Sequence, residues 1–255
     1  MIEYLAYTAP LAVFWLTITV ANCACVALGF AIRPRLALEP DEKALDVAQG
    51  AIFVLASLIL GFSFSFTSER FNARRLLIVE EANAIGTTYL RGSSLPASAT
   101  DRFRSILRDY AQVRLATYTR DPASSEAMER KSLAMQDALW SIVVMAARED
   151  PRNVQLALLK QTLNDTIDIS TKQSAALHNH MPTAMLGLVL VVTFVAAILL
   201  GVHFERMRQP QIFLGLVFGL LFATVVTTVV DLDRPQQGLV RVDLRPLQTQ
   251  LERMQ

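Results

Sequence analysis

Ionisable residues are missing from four long stretches of this 255-residue sequence. The apolar runs at 9–32, 47–66, 183–202 and 212–230 contain no Asp, Glu, Lys or Arg. Each is long enough, as a helix, to cross roughly 30 Å of hydrocarbon. Proton relays, ion-coupled pumps and voltage sensors need ionisable groups at membrane depth, so this absence argues against them. A pore closed by apolar side chains, or a scaffold, needs none. Only 18% of the whole chain is charged and 53% is hydrophobic, against about a quarter charged in ordinary soluble domains. The balance of 24 Lys and Arg against 23 Asp and Glu gives no field of one sign and no case for nucleic acid. Cysteine is nearly absent. Cys23 and Cys25 lie two apart in the first run, about 200° apart around a helix, so they neither bond to each other nor share a metal. G-x-S-x-G, H-E-x-x-H, P-loop and dinucleotide-binding patterns are also lacking, so neither an enzyme nor a cofactor is expected. No Lys or Arg precedes the first run, which excludes an ordinary secretory signal and makes that run a retained span.

What is present is organised around residues 47–91. The run VAQGAIFVLASLILGFSFSFT continues without proline as SERFNARRLLIVEEANAIGTTYLR. In the second part Phe71, Leu76, Leu77, Val79, Ala82 and Ile85 recur at helical spacing among Arg74, Arg75, Glu80, Glu81 and Asn83. One helix is expected to leave the membrane and continue into water. The alternation from Phe62 to Thr67 would read as a strand elsewhere. A lone strand in a bilayer leaves its backbone unpaired, so the helix is favoured.

The expected fold is all-α: a polytopic membrane protein with four transmembrane helices and an extramembrane helical bundle inserted between the second and third spans. Its parts are an N-terminal hairpin (1–66), the bundle (67–182), a C-terminal hairpin (183–230) and a tail (231–255). Three bundle helices are expected at about 99–119, 122–148 and 151–180. Asp121–Pro122 and Asp150–Pro151 mark two helix starts, and Ser98 or Thr100 a third. Arginines and lysines near the spans slightly favour a cytoplasmic bundle with both termini on the same side, in the inner membrane.

Few side chains suggest chemistry. His178, His180 and His203 read as interfacial residues. Glu80, Glu81 and Asn83 read as a solvated face or as partners for the bundle's arginines. Asp231 and Asp233, in DLDRPQQG, are a weak candidate for a hard cation; capping and turn formation with Pro235 and Gly238 is the commoner explanation.

The stretch LILGFSFSFTSERFNARRL resembles the end of the second span in bestrophins, while EANAIGTTYLR and DLDRPQQG are similar to the bacterial bestrophin-like group. The motif residues shared with that group are Glu81, Asn83, Gly86, Tyr89, Asp231, Asp233, Pro235 and Gly238. The resemblance implies a homo-oligomer, a pentamer in bestrophins, embedded in the lipid bilayer and permeable to an anion such as chloride. Its second span would line the pore. By position the neck falls on Val54, Leu58 and Phe62, whose spacing puts them on one helical face. The exit falls on Ser63, Ser65, Phe66 and Arg70, with Thr67 beside them. The alternative is a non-conducting membrane scaffold or signalling protein whose bundle binds a cytoplasmic partner.

Overall fold

The computed structural model describes residues 6–35, 42–119, 122–204, 208–234 and 238–254. Asp121 and Pro235 lie outside them. The described residues form helices without any strand: α1 (Leu11–Ile32), α2 (Glu42–Arg91), α3 (Ala97–Thr119), α4 (Pro122–Glu149), α5 (Val154–His178), α6 (Thr183–His203), α7 (Gln209–Asp233) and α8 (Arg245–Arg253). Four of the helical stretches are long and apolar enough to cross a membrane, and they include α1, the first part of α2, α6 and α7. The second span and its amphipathic continuation are one uninterrupted 50-residue helix. No Pro and no capping signal interrupts it, and the Gly92–Ser94 turn ends it.

The chain divides into two compact units, Met1–Phe71 with His180–Val240, and Asn72–Asn179 with Arg241–Gln255. In the first, α1 and α6 run in the same direction and cross with almost no side chain between them. A Cβ on Gly29 would overlap the carbonyl of Ile198, and one on Gly201 would overlap that of Val26. This reciprocal seating of small residues is how helices approach closely when hydrocarbon surrounds them and water supplies no driving force. Helix α7 runs the opposite way along α1, with Gly215 beside Val26 and Gly219 beside Cys23. Phe14, Leu186, Val189, Ala223, Val226 and Val230 fill the interior nearby.

The second unit is a bundle around Ile78, Ile85, Phe103, Leu107, Tyr110, Leu139, Val143, Leu159 and Leu163. Helix α5 does not begin at Asp150–Pro151. Asn153 is its N-cap, the side chain accepting from the amides of Gln155 (3.0 Å) and Leu156 (3.3 Å). Asp150 instead accepts the Asn153 amide at 3.2 Å, so the Asp-Pro pair shapes the turn and the better-placed amide caps the helix. Thr100 donates its hydroxyl to the carbonyls of Leu95 and Pro96 and does not cap α3. The end of the tail belongs to the bundle. Helix α8 buries Leu247 and the following Met254. Arg108 grips the Met254 carbonyl through Nε (2.9 Å) and Nη2 (2.5 Å), and the Tyr89 hydroxyl donates to it at 3.1 Å. Gly86 makes room, since a Cβ there would lie 2.7 Å from the Gln250 amide.

Candidate functional site

On its membrane part, α2 has two unlike faces. Ala56, Leu60, Ser63 and Thr67 are buried at i, i+4, i+7 and i+11. Opposite them, Val54 is 70% exposed, Leu58 51% and Phe62 64%. These three therefore form an unpartnered apolar stripe on the least buried of the four spans. Large apolar side chains one turn apart, with no charge among them, are the material of a hydrophobic constriction.

Of the residues expected at the exit, Ser65 and Phe66 continue the exposed side of the helix, while Ser63 and the neighbouring Thr67 lie on the packed face. The Ser63 and Thr67 hydroxyls turn inward and donate to the carbonyls of Ile59 (2.8 Å) and Ser63 (2.9 Å) on their own helix. Ser65 and Phe66 are exposed. The Arg70 guanidinium lies over the Phe66 ring at 5.4 Å and within 3.4 Å of Asp233.

Asp233, at the C-terminal end of α7, is the meeting point of this region. Its carboxylate is fully buried at the negative end of a helix, a position that disfavours an anion unless donors converge on it. They do. The Tyr7 hydroxyl donates at 2.9 Å and the Met181 amide at 2.5 Å. Arg70 supplies charge from α2, and the His180 ring lies 4.4 Å from that of Tyr7, tilted by 31°, with Nδ1 3.9 Å from the carboxylate. Asp231 accepts the amides of Leu239 (3.0 Å) and Val240 (3.1 Å), closing a turn at Gly238. Protein donors thus occupy both carboxylates. Among the described residues no group of three or more His, Cys, Asp or Glu is placed to hold a metal ion.

A profile of the Bestrophin-like domain matches residues 16–247. The chain belongs to the bestrophin-like family. No curated protein sequence matches it significantly. Among solved structures it is similar to a variant of a bacterial bestrophin homologue from Klebsiella pneumoniae. That match has 15% identity and a TM-score of 0.70, and covers 97% of this chain and 96% of the other. A second structure of a bacterial bestrophin homologue from the same organism matches at 15% identity and TM-score 0.67, covering 94% and 95%. At such identity the likeness concerns the fold: an all-helical chain of bestrophin architecture with four helices long and apolar enough to cross a membrane.

In this bestrophin-like chain the two neighbouring glutamates of EEANAIGTTYLR have opposite fates. Glu80 and Asn83 are exposed, and with Thr87, Asp165, Asp168 and Lys172 they line an open groove of about 500 Å³ on the bundle. Glu81 is buried, with its carboxylate against Arg114 Nε and the Tyr118 hydroxyl 3.4 Å away. Gln136 extends the polar chain to Tyr110 (3.3 Å) and Ser170 (2.7 Å). Burial would pull the Arg114 guanidinium down, but the Glu81 carboxylate overrides it and lifts it above its ordinary value. Burial, reinforced by Glu81, pushes the Tyr118 phenol well up, and burial also raises Tyr110.

Sequence reasoning missed Arg114. The signal was available: Tyr110, Arg114 and Tyr118 share one face of α3 with Leu107 and Ala111, so a charge stands on an apolar stripe and needs an acidic partner across the interface.

Proposed function

We propose that this protein is an oligomeric, anion-permeable channel of the inner membrane, with the second span lining the pathway and the bundle on the cytoplasmic side. One observation carries the reading. Val54, Leu58 and Phe62 stand exposed in a row on the least covered span, while the opposite face of the same helix is packed. A ring of copies with these side chains inward forms a neck that admits ions when wet and closes by dewetting. The exposed Ser65 hydroxyl and the Arg70 guanidinium supply donors below it. Asp233 shares the Arg70 charge, so anion preference rests on the neck and hydroxyls as much as on that arginine.

Two measurements test it. Native mass spectrometry in nanodiscs reports stoichiometry, and a closed ring, a pentamer by analogy with bestrophins, is expected. Flux through proteoliposomes under a salt gradient then gives conductance and its sign. Leu58→Ala and Phe62→Ala widen the neck and raise flux severalfold, with a reversal potential on the anion side. A monomer, or flux equal to empty liposomes in wild type and both variants, overturns the channel and leaves the scaffold reading, in which the same stripe faces lipid.

A further inference from the structure

The bundle carries two open grooves of unlike charge along α2. The first, of about 500 Å³, lies between α2 and α5, and its charged lining is Glu80, Asp165, Asp168 and Lys172. Asp168 accepts the Asn164 amide at 3.0 Å, a neutral partner that leaves its charge in place. Among the described residues none of the three acids is within salt-bridge distance of a cation. The second groove, of about 440 Å³, lies between α2 and the tail, with Asp243, Arg245 and Arg253 as its charged lining. Arg245 is spoken for: Asp243 accepts from its Nε at 2.9 Å and its Nη2 at 2.8 Å. Arg253 is not. It stands exposed at the end of α8 and, among the described residues, forms no ion pair and no side-chain hydrogen bond. Asn83 lines both grooves, so a single row of α2 separates an acidic flank from a flank with an unspent cation.

Within one chain these charges do not meet. Between chains they can. An acidic groove set against its own copy repels it, whereas a head-to-tail contact needs two different and complementary patches on every copy. The two flanks of α2 are such a pair. We propose that the tail of one copy docks in the α2–α5 groove of a second copy, with Arg253 among Glu80, Asp165 and Asp168. The docking rests on the oligomer proposed above and specifies which surfaces of the bundle meet in it, and in which direction around the ring. One exposed ion pair contributes little. Here three acids share one cation, and the cation is presented on a fixed backbone. The next residue, Met254, is buried, and its carbonyl is held by Arg108 at 2.9 Å and by the Tyr89 hydroxyl at 3.1 Å. Little freedom remains to be lost when Arg253 is captured, and the contact recurs at every seam of a closed ring.

Single-cysteine copies of the full chain test it, in a Cys23→Ala, Cys25→Ala background so that no other thiol reacts. Asp165→Cys copies and Arg253→Cys copies are co-expressed, placed in nanodiscs and treated with a short thiol cross-linker. A covalent dimer that forms in the mixture and with neither variant alone is expected. Native mass spectrometry gives the second readout. Arg253→Glu should lower the share of full rings severalfold, and adding Asp165→Arg to it should restore them. Lys131→Glu, an equal reversal at an exposed position of α4 that lines neither groove, should leave the share unchanged. Full rings with no mixed cross-link, or with Arg253→Glu no weaker than Lys131→Glu, overturn the docking while the oligomer stands, and leave the groove to a basic segment of another protein. A monomer in every preparation overturns both.

Discussion

Gly29 of α1 faces the Ile198 carbonyl of α6 at a separation that leaves no room for a methyl group. Gly201 meets the Val26 carbonyl in the same way. Alanine at either position must push two helices apart along their crossing. Gly29→Ala and Gly201→Ala are expected to cost at least 1–3 kcal/mol, roughly the scale of overpacking, and to lower the melting temperature in detergent. Gly187→Ala, on the same α6 with nothing within 4 Å, is expected to leave it unchanged. Equal effects at all three positions would exclude close approach as the cause.

The Glu81–Arg114 pair lies in the bundle core, with both side chains 1% exposed or less. Removing one member leaves an uncompensated charge, so Glu81→Ala should cost about 3–5 kcal/mol. The double variant Glu81→Leu, Arg114→Met removes both charges and should recover most of that loss. Thermal unfolding of the single and double variants checks it, and a double variant less stable than Glu81→Ala refutes the account.

The same core predicts alkaline sensitivity. Tyr110 and Tyr118 have raised pKa values in the folded state. Above the ordinary tyrosine pKa of about 10 the unfolded chain has lost protons that the folded chain still holds. Stability must therefore fall as pH rises from there toward the folded values. Melting temperature followed across that range should decline in wild type and more shallowly in Tyr118→Phe.

Calcium is expected to have no stabilising effect. Asp231 and Asp233 are engaged by four amide and hydroxyl donors and by Arg70. Millimolar calcium should leave the melting temperature where it stands without calcium. Asp233→Asn, by contrast, should lower it because Arg70 then loses its counter-charge.

Much of this architecture was legible because the signals were strong and local. Charge-free runs mark the spans, and the stretch from Val47 to Arg91 carries no helix stop, so one helix follows. The losses came where two local signals competed or where a partner lay far away in sequence. Asp150–Pro151 is a good helix start, yet Asn153 three residues on offers a carbonyl to two amides at once. Glu80 and Glu81 are identical in composition and adjacent, and only the packing of α3 decides which is buried. The tail helix is nine residues long, too short to stand alone, and its anchor, Arg108, lies 146 positions away.

Asp233 has a consequence for biosynthesis. Tyr7 precedes it by 226 positions and Met181 by 52, and all reach the same carboxylate. During translation the N-terminal segment, the Arg70 stretch of α2 and the entry to the third span emerge before the acid that ties them together. That acid arrives with the last residues of the fourth span, so the membrane half cannot lock until insertion is complete. A truncated or stalled chain ending before it would leave Arg70 without the counter-charge of Asp233.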